Sequence, residues 1–287
     1  MKKSFLFGLA FISLAIASIW YFFIKEHDYS ISFTTASPPG AVYEKLKNMP
    51  FDHSEERPFH SITQETGSTK IQWVLSAQDT ITMVVASFKN IENSFGERFA
   101  LLFGKSESRE KMKQLVLNIM EELKEDNNFY KVKISGREKM PAANCACIAL
   151  HNKVDQKAYD MMKNINFLSD YVLYNHLEMS GRPRVFVKNW NIKEANMDYD
   201  FCFPIKNLSG IQERGPIFFR TIPEQTAIKA IFHGNYMFSH QAWYSLLAYA
   251  KKKNLDVKNQ VLEIFKDNPE LGGNGMEWEA EIYMPLK

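Results

Sequence analysis

The sequence lacks a strong charge imbalance, and it lacks the short motifs that mark many enzyme families. Its 35 Lys and Arg residues against 33 Asp and Glu residues leave a formal net charge of +2. No basic run is flanked by stacking aromatic residues, so nucleic-acid binding is not supported. No Walker loop, dinucleotide fingerprint, nucleophile elbow or HExxH motif occurs, and we predict no cofactor.

Charge and cysteine are both scarce. Charged residues make up 24% and hydrophobic residues 45% of the chain, a composition that excludes a disordered protein. A length of 287 residues is sufficient for two domains. Of three cysteines, Cys145 and Cys147 lie two apart on one predicted strand. A disulfide between them is too strained, and the spacing is not that of a redox pair, so we interpret both as small core residues.

The N-terminal segment Phe5 to Ile24 contains no charge and no proline. A run of this length spans a bilayer core. A cleaved signal peptide is the alternative, because Ala15 and Ala17 offer small residues for cleavage, but the hydrophobic run continues well past them. We therefore predict an uncleaved single-pass anchor over residues 1–27. The lysines at positions 2 and 3 favour a cytoplasmic N-terminus, with the body of the protein outside the cytoplasm.

Residues 28–127 show the pattern of a strand, a short helix, an antiparallel hairpin and a long closing helix. Alternating apolar residues from Tyr29 to Phe33 predict the strand, and a Pro-Pro-Gly turn opens the short helix. Apolar residues at helical spacing from Ser106 onward predict the long helix.

This order of elements resembles the START-like superfamily, also called SRPBCC or polyketide cyclase-like, in which a long helix lies across a curved sheet in a helix-grip arrangement. The resemblance implies a pocket for a lipid or another apolar ligand. The alternative is that the helix simply covers the sheet as core, since apolar stripes usually mean packing.

The second half of the chain contains an internal repeat. Pro141 precedes His151 by the same spacing as Pro223 precedes His233, and the strand around Asp200 aligns with the last strand. Each copy is predicted to run strand, helix, strand, strand, with strands at 144–150 and 226–232 and helices at 156–167 and 239–253. Because one such unit cannot bury its sheet face alone, the copies at about 131–206 and 216–287 should pair around a pseudo-twofold axis.

Residues 131–287 resemble the GyrI-like domain, the effector-binding domain of bacterial transcription activators. The resemblance is carried by the segments Ala230–Tyr236, Tyr199-Asp200 and Glu281–Lys287. It implies a ligand, often cationic or aromatic, in the cleft between the two repeats, with an acidic residue at the position of Glu281. Some members of the family are similar to hydrolases that open strained cyclopropane-bearing compounds with a glutamate. The whole chain is thus predicted to be α+β, with an anchor, a START-like domain and a duplicated GyrI-like domain.

The last strand carries the candidate site. Alternate residues of a strand share a face, so Glu277, Glu279, Glu281 and Tyr283 should point towards the cleft between the repeats, with Asp200 as the pseudo-symmetric partner of Glu281. For Glu277 and Glu279, solvated acids on an open face are the alternative. The predicted ligand-binding residues are Glu281, Tyr283, Tyr236, Asp200 and Glu279.

Two histidines at the ends of matching strands, His151 and His233, have no cysteine or carboxylate at ligand spacing, so we expect them to cap turns and predict no metal site.

Three hypotheses for function follow. The first is a membrane-anchored small-molecule-binding protein. The second is a hydrolase in which Glu281 acts as general acid or base, because burial would raise the pKa of its carboxyl group towards neutrality. The third is lipid binding by the START-like domain. In the activators of the GyrI-like family a helix-turn-helix precedes this domain, and here an anchor and another domain stand in its place, so a DNA-binding regulator is not expected. The oligomeric state is not predicted.

Overall fold

The chain forms two antiparallel sheets, one in each half of the sequence. The computed structural model describes residues 2–78, 81–208 and 213–287. The chain divides into two units, Met1–Lys124 and Glu125–Lys287, each with its own sheet and helices. The α+β class predicted from the sequence is confirmed.

The first unit begins with the apolar N-terminal helix, which continues through a wider helical turn at Trp20–Ile24. A five-stranded sheet follows in the order β1-β5-β4-β3-β2. Strands β2 and β3 were not predicted, because polar residues such as the buried Gln64 hide their alternation. The elements are α1 (Lys2–Ile19), β1 (Tyr29–Thr35), α2 (Pro39–Lys47), β2 (Asp52–Arg57), β3 (Ser61–Thr66), β4 (Thr69–Gln78), β5 (Ile81–Asn90), α3 (Ser94–Leu102) and α4 (Glu107–Asp126).

The core of the first unit lies between its sheet and the helices α2 and α4. Val116, Ile119 and Leu123 form one stripe on α4, at the spacing of an amphipathic helix, and all three are buried. They belong to the same buried cluster as Trp73 and Phe88 of the sheet. The predicted long closing helix is therefore present and packs on the sheet. The START-like resemblance itself stays a prediction.

The second unit contains an eight-stranded sheet and two helices. Its elements are β6 (Tyr130–Met140), β7 (Ala143–Lys153), α5 (Lys157–Tyr174), β8 (Arg184–Asn191), β9 (Asn196–Pro204), β10 (Ile217–Ile222), β11 (Gln225–Gly234), α6 (Gln241–Lys252), β12 (Val261–Phe265) and β13 (Glu279–Pro285).

The strand order of this sheet is symmetric about its centre: β10-β7-β9-β8 on one side, then β12-β13-β11-β6 on the other. Each strand of the first copy thus has a counterpart in the second, with β7 matching β11, β9 matching β13 and β8 matching β12. The predicted duplication of one strand-helix-strand-strand unit is confirmed, and the two copies share a single sheet. Each copy begins with one strand more than predicted, β6 and β10, which form the two edges of the sheet. The side chains of β6 are largely exposed, and those of β10 do not alternate between buried and exposed.

A buried ionic network joins the two copies on the helix side of the sheet. Lys157, in the first turn of α5, places its Nζ 2.5 Å from Oε2 of Glu263 on β12. Trp243 of α6 donates from Nε1 to Oε1 of the same carboxylate at 2.7 Å, and Ser239 also contacts it. Both charged side chains are essentially inaccessible to solvent. Both helices therefore lie on the face of the sheet to which Glu263 points.

Candidate functional site

The opposite face of the eight-stranded sheet, which points away from α5 and α6, carries a second group of ionisable residues, and we call it the cleft face. Side chains alternate along a strand, so the neighbours of Glu263 point to the cleft face. The strand register places Ile264 opposite Glu281 and Phe186 opposite Asp200. The two predicted acids therefore share one face of the sheet, each in the corresponding strand of its copy.

Asp200 is fully buried and already paired with two cations. Arg220 donates from Nη1 to its Oδ2, and Nζ of Lys188 lies 2.8 Å from its Oδ1. The guanidinium of Arg220 also lies 5.0 Å above the ring of Phe186. The negative charge of Asp200 is thus compensated within the protein, before any ligand binds.

Glu281 is compensated in the same way. Nζ of Lys266 lies 3.1 Å from its Oε2 and Nζ of Lys229 lies 3.2 Å from its Oε1, while the hydroxyl of Tyr283 donates to Oε2 at 3.2 Å. Burial acts to raise the pKa of Glu281, but the hydrogen bonds and charges of the two lysines outweigh it, and the pKa lies below its usual value. Glu281 is therefore ionised at neutral pH.

Tyr283 belongs to the same cluster. Its side chain is buried, and Nζ of Lys229 lies 5.2 Å from the centre of its ring. Burial, above all, raises the pKa of its hydroxyl. Tyr283 is thus a neutral hydrogen-bond donor on the cleft face, next to Glu281.

Tyr236 and Glu279 are not brought to the centre of this cluster. The ring of Tyr236 packs on Phe265 and Trp278, at 4.7 and 5.7 Å between ring centres, and its hydroxyl donates to the backbone oxygen of Glu279 at 2.8 Å. Phe265 points to the helices, so the ring of Tyr236 lies on the helix side of the sheet and not on the cleft face. Glu279 starts β13, and its half-exposed carboxylate lies 3.9 Å from His233.

Arg184 is a residue of the cleft face that was not predicted from the sequence, as are the lysines and the arginine that pair with Asp200 and Glu281. It is 6% exposed, and its Nε and Nη1 atoms are buried without a hydrogen-bond partner among the residues that the structure describes. Burial acts to lower the pKa of this guanidinium. The signal was the alternation of Arg184, Phe186 and Lys188 with Val185 and Val187 along one strand, which places basic residues on the cleft face.

A disulfide bond lies between the two strands that hold Asp200 and its neighbours. Cys147 and Cys202 are directly opposite each other in β7 and β9, with 4.1 Å between their Cα atoms. The interpretation of Cys147 as a small core residue was therefore wrong, because its partner lies 55 residues away in the sequence. Cys145 is a buried free thiol, and burial raises its pKa to about 11. It is not a reactive thiolate at neutral pH.

The histidines that revealed the repeat lie at strand ends. Nδ1 of His151 lies 2.8 Å from Asp198, and Nε2 of His233 lies 3.9 Å from Glu279. Within residues 2–78, 81–208 and 213–287, no three His, Cys, Asp or Glu side chains are grouped closely enough to hold a metal ion. Each histidine therefore has a carboxylate neighbour in place of a metal site.

Comparison with known proteins gives likenesses of fold. No protein-family model matches the chain, and no curated protein matches it. The crystal structure of the EcmrR C-terminal domain is 22% identical and covers 55% of this chain and 98% of that one, with a TM-score of 0.47. SAV2435 bound to tetraphenylphosphonium is 11% identical over 55% of this chain and 93% of its own, with a TM-score of 0.37. A hydrolase from Listeria innocua is 12% identical over 57% of this chain and 98% of its own, with a TM-score of 0.35.

Proposed function

We propose that this protein binds a small molecule on the cleft face of its second unit, and that its N-terminal helix holds it at a membrane. The observation that carries the binding site is the set of buried ionisable side chains on that face. Burying charge costs free energy even when it is paired, so charged groups gathered at one place mark candidate functional sites. Arg184, Asp200 and Tyr283 are each less than a tenth exposed.

A thermal-shift screen of the full-length protein in detergent tests the binding site. Compounds that bind the cleft face should raise the melting temperature, and the shift should shrink in Glu281→Gln, because the variant loses the charge that holds Lys229 and Lys266 in place. Glu279→Gln is the matched control, since Glu279 lies at the end of the same strand with a half-exposed side chain. Equal shifts in the wild type and Glu281→Gln would place the ligand elsewhere.

The paired carboxylates do not favour the cationic ligand that was predicted from the sequence. That hypothesis assumed that Asp200 and Glu281 were available to pair with a ligand. Each carboxylate already has two basic partners, so a cationic ligand would have to displace a lysine or an arginine. The aromatic part of the hypothesis fits the rings of Phe186 and Tyr283 on the same face.

The hydrolase hypothesis is less well supported than binding. A general acid or base works best with a pKa near the working pH. The pKa of Glu281 is instead lowered by Lys266 and Lys229, which exceed the opposing effect of burial. A carboxylate that is fully ionised and held by two lysines suits the positioning of other side chains better than proton transfer.

Membrane anchoring is supported by the way in which the apolar helix enters the first unit. The window Phe7–Ile24 has a mean hydropathy of 2.1, and none of its residues is buried. The buried Arg98 binds the chain at the end of this helix: it donates to the backbone oxygens of Tyr21 and Lys25 at 2.7 and 2.5 Å, and to the carboxylate of Asp28 at 2.6 Å. The end of the span is thus part of the folded unit, which favours a retained anchor over a cleaved signal peptide.

A short apolar helix beside the end of the span also supports a membrane location. Phe95 of α3 packs against Phe22 and Phe23, with 5.0 and 5.9 Å between ring centres. Phe99 and Phe103, on and directly after the same helix, are more than half exposed. Exposed aromatic residues that continue from a membrane span suit the interface between lipid and water.

An extracytoplasmic location of the body is supported by the disulfide, because disulfides persist in oxidising compartments. Fusions of alkaline phosphatase or of green fluorescent protein to the C-terminus test this orientation. The phosphatase fusion should be active and the fluorescent fusion dark. The reverse result would place the body in the cytoplasm.

A further inference from the structure

We propose that the cleft face takes an anionic ligand, a small organic molecule whose oxyanion group, a carboxylate or a phosphate, pairs with the guanidinium of Arg184. This inference rests on the proposed function, since it names the class of molecule that binds at the same site. Three observations carry it: a buried cation without a partner among the described residues, a break in the symmetry of the repeat, and an excess of positive charge in one half of the sheet.

Arg184 is a buried charge that the described residues leave uncompensated. Two of its three nitrogen positions, Nε and Nη1, are inaccessible and have no hydrogen-bond partner within residues 2–78, 81–208 and 213–287. A guanidinium presents its donors as a planar fork that matches the two oxygens of a carboxylate or the oxygens of a phosphate. A protein rarely buries such a group unless a partner satisfies it. An oxyanion on the ligand is the partner that satisfies both atoms at once.

The two copies of the repeat agree at the lysine that pairs with the cleft-face carboxylate, and they differ at Arg184. Aligning the copies through Asp200 and Glu281 brings Phe186 onto Ile264 and Lys188 onto Lys266. The pair of Lys188 with Asp200 therefore recurs as the pair of Lys266 with Glu281. The same alignment brings Arg184 onto Leu262.

A carboxylate paired with a lysine thus belongs to the common architecture of the two copies, whereas the buried arginine does not. A leucine at the equivalent position shows that the sheet can be built there with an apolar side chain, and that the fold alone does not demand a cation.

The charge on the cleft face is unbalanced in one half of the eight-stranded sheet. In the half of the sheet formed by β10, β7, β9 and β8, three cations, Arg184, Lys188 and Arg220, share the cleft face with one fully buried carboxylate, Asp200, which already accepts two of them. In the other half, formed by β12, β13, β11 and β6, Lys229 and Lys266 are matched by Glu281 and Glu138. The excess positive charge therefore lies in the half of the sheet that contains Arg184.

The surroundings of Arg184 define the rest of the ligand. A Cβ added to Gly181 would lie 3.2 Å from Nη2 of Arg184 and 3.4 Å from Pro204, so the chain before β8 forms a close wall beside the guanidinium. The apolar residues next to it on the cleft face are Phe186, Ile264 and the disulfide of Cys147 and Cys202. An apolar or aromatic body with one anionic group fits this combination.

Three probes with one phenyl group each test the inference on the full-length protein in detergent: benzoate, phenyl phosphate and benzylammonium. Binding is measured by titration calorimetry and by thermal shift. Benzoate or phenyl phosphate should bind and raise the melting temperature, and benzylammonium should not; the stronger of the two anions identifies the oxyanion. Arg184→Met, which keeps an apolar chain of similar length, should weaken anion binding by about 10- to 100-fold.

Arg184→Lys keeps the charge without the planar fork and should retain part of the affinity. Arg182→Met is the matched control, because Arg182 is exposed two residues earlier and should leave binding unchanged.

The stability of the ligand-free variants separates a binding role from a structural one. If Arg184 is retained for a ligand, Arg184→Met should melt at the same temperature as the wild type or higher, because an uncompensated buried charge is removed. A lower melting temperature together with unchanged anion binding would assign Arg184 a structural role and overturn the inference.

Binding of benzylammonium that is lost in Glu281→Gln would overturn the anionic ligand while keeping the cleft face as a binding site. Failure of all three probes would also overturn it, and hits from the broader screen that depend on Glu281 would then still support the proposed function.

Discussion

The two copies of the repeat in the second unit have the same backbone and use it for different side-chain chemistry. Where the first copy places the disulfide of Cys147 with Cys202 across β7 and β9, the second places the stacked pair of Lys229 with Tyr283 across β11 and β13. Strand pairing sets which residues face each other, and the residue types then decide whether the contact is covalent, ionic or apolar. Features found in both copies are thus explained by the fold, and features found in one copy need another reason.

The buried network on the helix side is the difference with the largest expected effect on stability. Its carboxylate, Glu263 of the second copy, corresponds to Val185 of the first. Lys157→Met should lower the free energy of unfolding by about 3–5 kcal/mol, because it leaves the carboxylate of Glu263 buried without its cation. Urea denaturation measures the change. The double variant Lys157→Met with Glu263→Gln should recover much of the loss, since no uncompensated charge is left. Equal destabilisation of the single and double variants would mean that packing, and not charge, dominates at this site.

The disulfide is the second difference between the copies. Replacing Cys147 and Cys202 together by alanine should lower the free energy of unfolding by about 2–4 kcal/mol, because the bond closes a loop of 55 residues in the unfolded chain. Reducing agent should destabilise the wild type by a similar amount and leave the variant unchanged. Cys145→Ala is the control, as Cys145 has no disulfide partner, and its response to reducing agent should match that of the wild type.

The smallest effect concerns Glu281 and pH. Its pKa is lower in the folded protein than its usual value, so the folded state holds the proton more weakly than the unfolded chain and Glu281 stabilises the fold at neutral pH. This stabilisation, less than about 1 kcal/mol for a partly exposed group, is fully present above the unfolded pKa of about 4.3 and is lost as the pH falls through the folded pKa.

Urea denaturation at pH 7 and at pH 3 measures this effect. Glu281→Gln should lose less stability between the two pH values than the wild type does. Glu279→Gln serves as the comparison, because Glu279 starts the same strand with a half-exposed side chain, 3.9 Å from the imidazole of His233. Identical pH profiles for the wild type and Glu281→Gln would show that Lys229 and Lys266 do not stabilise the ionised form.

Several parts of the fold followed from local patterns. The helices α4 and α6 and the strands β1, β4 and β5 repeat their apolar residues at a regular period, and the repeat brought Asp200 and Glu281 onto one face of a sheet. The strands β2, β3 and β6 were missed because buried polar or exposed charged residues interrupt that period, and β10 was missed because its apolar residues are consecutive and do not alternate. Predictions at the level of strand faces succeeded because the alternation of side chains depends on the backbone alone.

The partners of the candidate residues could not be obtained in this way. Lys266 reaches Glu281 from the end of a neighbouring strand, and Arg220 reaches Asp200 from an edge strand that lies two strands away. Tyr236 was predicted beside Glu281 from its place before α6, but its ring lies against Phe265 on the helix side. These contacts depend on strand order and register, which no local pattern specifies.

The sequence by itself determined that the chain begins with an apolar run, that a unit is duplicated in its second half, and that acids and aromatics alternate along the last strand. Only the tertiary structure decided that those acids are already paired, that Cys147 is bonded to Cys202, and that Arg184 is the buried charge left without a partner in the described part of the chain. The physical reason is that periodicity is set by neighbouring residues, whereas charge compensation and covalent pairing are set by strands brought together from distant parts of the sequence.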